Sequence, residues 1–79
     1  MTGPGPALVV FTWHAERRAV ERGLVLSELA ELVLNHHDRR RRNPGEADWV
    51  IHAAGVVIVY DWPDGNDATT ALVISAWRE

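Results

Sequence analysis

The chain has 79 residues, no cysteine and a formal net charge of −3, so it has room for one domain, whose core forms without disulfides or thiolate zinc sites. The missing cysteines favour a reducing compartment, and we expect the protein in the cytoplasm. The acidic balance excludes a protein that coats nucleic acid indiscriminately, because such binding neutralises many phosphates; any contact with RNA must be local.

The N-terminal segment, residues 1–6, holds two glycines, two prolines and no basic residue, and is predicted to be a flexible lead into a single domain at 7–79. The apolar run that follows is too short for a signal peptide or a membrane span, so no membrane contact is expected. Leu8 to Thr12 is predicted to be a short edge strand, because its residues are apolar, β-branched or aromatic.

Two helices are predicted next. Thr12 caps the first, which runs from about Trp13 to Arg22 and ends at Gly23, where the chain needs a left-handed residue. Ser27 caps the second, which extends to about Asn35. The apolar residues of this second helix recur at helical spacing and predict a wide buried face.

A polar and basic connection from His36 to Glu46 precedes three strand-like runs. The first is Asp48 to Ala53, which Ala54 and Gly55 turn into the second, Val56 to Trp62. The second run is apolar on both faces, which indicates a central strand. After a turn rich in Asp, Gly and Pro, the third run spans Ala68 to Trp77.

These elements predict an α+β fold, with two N-terminal helices packed on a mainly antiparallel sheet in the order β-α-α-β-β-β. An antiparallel meander is the simplest arrangement of the strands. The predicted core consists of Leu29, Leu32, Val33, Trp49, Ile51 and Ile58.

The first helix carries the densest group of side chains able to do chemistry. His14, Arg18 and Arg22 share one helical face, with Arg17 beside them. An imidazole can move a proton near neutral pH, and guanidinium groups stabilise the charge of a phosphorane-like transition state, so this face suits ribonuclease chemistry. The alternative is a solvated face on which the arginines form weak ion pairs with Glu21.

Two further residues complete the predicted catalytic set. Strand alternation places His52 on the exposed sheet face or at a cleft rim, as a second proton-transfer group or as a structural histidine, and Arg78 helps to hold the scissile phosphate. RNA binding is predicted for guanidinium groups that track the backbone and for an indole that stacks on an unpaired base. These residues are Arg17, Arg39, Arg40, Arg41, Arg42 and Trp77.

The sequence predicts no metal site and no cofactor. The histidines lack a standard ligand spacing, and the three aspartates around the Pro63 turn lack the distal glutamate of a calcium loop. No glycine-rich phosphate loop and no nucleotide-binding fingerprint is present.

The stretch from Phe11 to Leu34 contains the series H-A-x-x-R-x-x-x-R-G, which falls on His14, Ala15, Arg18, Arg22 and Gly23. With this series, the stretch resembles a family of small bacterial domains of unknown function that has the same signature. That family is similar to the RelE-like and BrnT-like ribonuclease toxins. The resemblance implies helices packed on an antiparallel sheet, RNA as substrate, cleavage without a metal, and an antitoxin protein as partner.

Two functions stay open: a metal-independent endoribonuclease of toxin-antitoxin type, or a non-catalytic protein-interaction module on the same fold.

Overall fold

The computed structural model describes residues 6–42, 49–62 and 69–79. Residues 1–5 of the predicted flexible segment and the turns expected near 43–45 and 63–67 lie outside these ranges. Neither of the two helices in the described ranges is long and apolar enough to cross a membrane. The elements are β1 (Leu8–Phe11), α1 (Trp13–Glu21), α2 (Leu26–His36), a 3₁₀ helix (His37–Arg39), β2 (Arg41–Arg42), β3 (Trp49–Ala53), β4 (Val56–Asp61) and β5 (Thr70–Arg78).

The strands of the described residues form one mixed sheet in the order β1-β5-β4-β3-β2. Strands β2 to β5 pair antiparallel as a meander, whereas β1 pairs parallel with β5 at the edge. Both helices come between β1 and β2 in the chain and pack on one face of the sheet. The predicted α+β fold, with two helices ahead of a meander, is confirmed, while the parallel pairing of β1 was not predicted.

The basic connection after α2 differs from the exposed loop that the sequence predicts. It forms the 3₁₀ helix and then the edge strand β2, in which Arg41 pairs with Val50 and Arg42 with Trp49. Arginine is a weak strand signal, so only the partner strand reveals this pairing. A short edge strand made of charged residues discourages further strand addition at this side of the sheet.

The ends of α1 follow the predicted caps. The Thr12 hydroxyl accepts a hydrogen bond from the backbone N–H of Ala15 at 3.0 Å. At the other end Gly23 has φ +70°, and the N–H of Leu24 donates to the carbonyl of Ala19 at 2.8 Å. This left-handed cap turns Leu24 back into the core, where it joins Ala19.

The start of α2 corrects the predicted cap at Ser27. The helix begins at Leu26, after the extended residue Val25, and no side chain caps it. The N–H of Leu29 donates instead to the carbonyl of Val25 at 3.1 Å. Because Leu26 packs against the core, burial of its side chain decides where the helix begins, and Ser27 is left exposed within the first turn.

The core lies between the helices and one face of the sheet. Of the predicted core residues, Leu29, Val33, Ile51 and Ile58 are fully buried, and Leu32 and Trp49 are partly buried against them. All residues of β4 from Val56 to Tyr60 are buried, which confirms that it is a central strand.

The other face of the sheet carries no helix of the described chain, and we call it the open face. Residues directly opposite each other on paired strands point to the same side. Val57 pairs with His52 on one side and with Trp77 on the other, so these three side chains form a row across the open face. Arg41 reaches the same face through its pairing with Val50, two residues before His52.

The turn between β3 and β4 offers a test of backbone strain. Ala54 has φ +52° and Gly55 has φ +74°, which confirms the predicted two-residue turn. A left-handed conformation costs most L-residues about 1–2 kcal/mol, whereas Asn-Gly is a favoured pair in this turn type. Ala54→Asn is therefore expected to raise the free energy of unfolding by about 1 kcal/mol, measured by urea titration. Ala53→Asn, in the adjacent extended strand position, should not raise the free energy of unfolding. Destabilisation by Ala54→Asn would contradict the claim that Ala54 is strained in the parent protein.

Candidate functional site on the open face

His52 and Glu79 form a histidine–carboxylate pair at the end of the open face. The Nδ1 atom of His52 lies 2.6 Å from Oε1 of Glu79. The backbone N–H of Glu79 donates to the carbonyl of Gly55 at 2.9 Å, which anchors the carboxylate beside β4. Because an ionised carboxylate only accepts, Nδ1 carries the hydrogen, and Nε2 of the neutral ring is the atom that can take a proton.

Two arginines lie beside this pair. Arg39, Arg41 and His52 line one cavity of about 300 Å³. Both arginines are exposed, and Arg41 is only two strand positions away from His52 by register. A guanidinium group donates through a planar fork that matches phosphate oxygens. The cavity therefore combines a proton acceptor with two groups suited to a phosphate.

Trp77 lies across the open face from this cavity. It is half-exposed and is separated from His52 by one strand, which puts their backbones about 10 Å apart. An exposed indole at that distance can stack on a base while the arginines hold a neighbouring phosphate. Trp77 is among the residues predicted from the sequence and Glu79 is not, although alternation along β5 places residue 79 on the same face as residue 77.

Arg22 and Arg78 lie elsewhere and bind backbone carbonyls. Nη1 of Arg22 donates to the carbonyl of Ala76 at 2.7 Å, and Nη2 of Arg78 donates to the carbonyl of Gly23 at 3.1 Å. Arg78 pairs with Val56, which places it on the helix-covered face. These two bonds join the end of α1 to β5, so both arginines brace the helix against the sheet.

His14 lies on the outer surface of α1, away from the open face. It lines an exposed cavity of about 410 Å³ with Arg17, Arg18 and Glu21. The Glu21 carboxylate lies 3.5 Å from Nε of Arg17 and 3.7 Å from Nη1 of Arg18. These are the ion pairs of the alternative interpretation. The structure thus brings His14 together with Arg18, but it separates both of them from His52.

The arginine run after α2 does not track one surface. The guanidinium of Arg40 lies over the rings of Trp49 at 4.7 Å and Trp62 at 5.6 Å, and its Nη1 donates to the carbonyl of His37 at 2.8 Å. Arg42 lies 5.2 Å over Trp49 on the helix-covered side. Alternation along β2 leaves Arg41 on the open face, where it lines one cavity with Arg39, so the predicted RNA-binding run is divided between the tryptophan rings and the open face.

Trp49 and Trp62 form an aromatic cluster, with ring centroids 6.1 Å apart, and Tyr60 is fully buried beside it. Its ring meets Trp62 edge-on at a centroid distance of 5.5 Å. Its hydroxyl has no hydrogen-bond partner among the described residues. Burial raises the pKa of Tyr60 to about 12, and the nearby charge of Arg40 opposes this rise only in part. Tyr60 is therefore a neutral core residue at physiological pH.

No three histidine, aspartate or glutamate side chains converge to hold a metal ion in the ranges 6–42, 49–62 and 69–79. The expectation that the protein binds no transition metal stays a prediction.

No protein-family model, curated protein or solved structure matches this chain. The resemblance of the His14 to Gly23 motif to the ribonuclease-toxin group therefore stays an interpretation of that motif. The arrangement of the open face is what supports a function.

Proposed function

We propose that the protein is a metal-independent endoribonuclease of toxin-antitoxin type, which acts in the cytoplasm and cleaves RNA on the open face. The observation that carries this proposal is the 2.6 Å contact between His52 and Glu79, in a site whose cavity is also lined by Arg39 and Arg41. RNA cleavage without a metal needs a proton acceptor and positive charge at the same phosphate, and this cavity offers both.

The proposed reaction uses the ribose 2′-hydroxyl as the nucleophile. Nε2 of His52 takes its proton, the 2′ oxygen bonds to phosphorus, and the bond from phosphorus to the 5′ oxygen breaks. The leaving oxygen takes a proton from solvent, so the products end in a 2′,3′-cyclic phosphate and a 5′-hydroxyl. Glu79 orients the ring and stabilises its protonated form. Arg39 and Arg41 stabilise the charge on the phosphoryl oxygens.

The charge distribution favours approach of RNA to the open face. Arg39 and Arg41 are at its β2 edge and outnumber the Glu79 carboxylate, whereas on the helical layer four exposed glutamates outnumber Arg17, Arg18 and Arg22. An acidic protein can then bind RNA locally, as its net charge requires. The glutamates of the helical layer are Glu16, Glu21, Glu28 and Glu31.

The direct test is incubation of the purified protein with end-labelled single-stranded RNA in the presence of EDTA. We expect cleavage, with cyclic phosphate ends on the upstream fragments. Absence of both cleavage and binding across RNAs of varied sequence would contradict the proposal.

Arg41 and Arg42 are adjacent in β2 and point to opposite faces of the sheet, so their alanine variants form a matched pair for testing RNA binding. Arg41→Ala removes a charge from the open face and is expected to lower the slope of log affinity against log salt by about 0.7 to 1. Arg42→Ala removes the same charge from the face that Trp49 occupies and should change the slope less. Fluorescence anisotropy with labelled RNA at several salt concentrations measures both slopes. Equal slopes for the two variants would remove Arg41 from the proposed site.

A non-catalytic interaction module is the second candidate, and one observation favours it. Leu8 and Val10 are exposed large apolar residues on β1, whose outer edge pairs with no other described strand. Such an edge can accept a strand from a partner protein.

Expression in bacteria distinguishes the two functions: an endoribonuclease should arrest growth without its antitoxin, and His52→Gln should relieve the arrest at unchanged protein level. Normal growth of cells that contain the folded parent protein would favour the module.

A further inference from the structure

The outer side of α1 carries an apolar patch that the proposed ribonuclease site does not use. Trp13 is 73% exposed and Val20 is 69% exposed, although both belong to a helix whose inner side packs through Ala15 and Ala19. Trp13, Val20 and Leu26 line a shallow groove of about 420 Å³. Single exposed apolar residues are common, but Trp13 and Val20 are seven residues apart and so mark out a strip along one face of α1, two helical turns long.

The charged residues of this strip can pair with the same residues of a second copy of the chain. Glu16 and Arg17 lie between Trp13 and Val20, and both line the same groove. If a second α1 lies antiparallel across a twofold axis between positions 16 and 17, Trp13 faces Val20 of the second copy. Glu16 then faces Arg17 of the second copy, and the same contacts repeat on the other side of the axis.

We infer that two copies of this chain associate through antiparallel α1 helices, in contact along Trp13, Glu16, Arg17 and Val20. A parallel pair would set Glu16 against Glu16 and Arg17 against Arg17, so repulsion selects the antiparallel orientation. A different protein would have to supply its own matching series of apolar and charged groups, whereas this helix already supplies both halves.

The side chains at the proposed interface are partly oriented in the single chain. The guanidinium of Arg17 lies 5.4 Å over the Trp13 ring, and its Nε is 3.5 Å from the Glu21 carboxylate. These contacts keep Arg17 extended along the groove, where a Glu16 carboxylate of the second copy can reach it. Fewer rotamers are then lost on association, which lowers its entropic cost.

The size of the strip sets the expected strength of the dimer. Two turns of helix from each copy, with one tryptophan each, bury less than the roughly 1,200 Å² of a standard stable interface. We therefore expect a reversible dimer in the micromolar range. The strip faces away from the sheet, so dimer formation leaves the open face uncovered, and this inference does not depend on the proposed ribonuclease function.

Sedimentation velocity over a range of protein concentrations tests the inference. The parent chain should shift from monomer to dimer as concentration rises. Glu16→Arg and Arg17→Glu should each weaken association at least about tenfold, because each variant places like charges opposite each other. Glu31→Arg reverses a charge on the exposed side of α2 and serves as the matched control, with no expected change in association.

The decisive measurement mixes the two charge-reversal variants. In an equimolar mixture, both charged contacts of the antiparallel pair regain opposite signs, so a mixed dimer should form with close to the parent affinity. This recovery also shows that both variants fold. A parent chain that stays monomeric at the highest concentration, a dimer that is insensitive to the reversals, or a mixture that does not recover would each overturn the inference.

Discussion

Replacing His52 with Gln is expected to lower the rate of RNA cleavage about 10²- to 10⁴-fold, because glutamine keeps hydrogen-bonding capacity but cannot transfer a proton near neutral pH. The comparison is made under single-turnover conditions with EDTA present, so that the chemical step is observed. Glu79→Gln should also slow cleavage, but by less, because it removes the partner of the ring and leaves the imidazole in place.

The matched control is His14→Gln, the same change on the outer side of α1. The motif predicts His14 as the general base or acid. In the structure, however, the arginines beside His14, Arg17 and Arg18, already pair with the carboxylate of Glu21. We expect His14→Gln to cleave at the parent rate. Loss of cleavage in His14→Gln with full activity in His52→Gln would move the active site to α1 and refute the open-face site.

Loss of activity in His52→Gln should not come from unfolding. The side chains of His52 and Glu79 are 58% and 49% exposed, and a contact between such exposed side chains contributes less than about 1 kcal/mol. The melting temperature of the variant should therefore stay within a few degrees of the parent value. A large drop would show that the pair is structural, and the activity result would then no longer identify a base.

Alkaline pH is expected to destabilise the protein through Tyr60. Between about pH 10 and pH 12 the unfolded chain loses the phenolic proton while the folded chain keeps it, since the folded pKa is about 12 and the ordinary value is 10.0. The unfolded state then binds fewer protons than the folded state, so the free energy of unfolding falls as pH rises. The loss is up to about 3 kcal/mol across this window.

The composition of the chain makes this titration simple to follow. Tyr60 is the only tyrosine, cysteine and lysine are missing, and arginine stays protonated in this range. Urea unfolding at several pH values gives the stability, and the near-ultraviolet absorbance of tyrosinate gives the pKa of Tyr60 directly. A folded-state pKa near 10 would contradict the burial argument.

Tyr60→Phe is the control for the alkaline effect. The variant should show little change in stability between about pH 10 and pH 12, because the group that titrates is gone. At neutral pH it should be at least as stable as the parent, since a buried hydroxyl without a partner costs about 1–3 kcal/mol. Destabilisation at neutral pH would show that the hydroxyl has a partner in the folded protein.

The sequence by itself determined the features that depend on neighbouring residues. The hydroxyl of Thr12 and the glycine at position 23 delimit α1, because caps act on backbone groups within one helical turn. The apolar residues on both faces of β4 identified the central strand. The alternation along β3 placed His52 on the exposed sheet face or at a cleft rim. From these local signals the α+β class and the part of the core around Leu29, Val33, Ile51 and Ile58 could be predicted.

Only the tertiary structure decided what depends on contacts between distant parts of the chain. It paired β1 parallel with β5, joined β2 to the sheet, started α2 at Leu26, and divided the arginine run between the aromatic cluster and the open face. It also brought Glu79 to His52, 27 positions apart in the chain. The free energy of such contacts comes from burial and pairing across the sheet, which no local pattern records, so the candidate site moved from α1 to the open face.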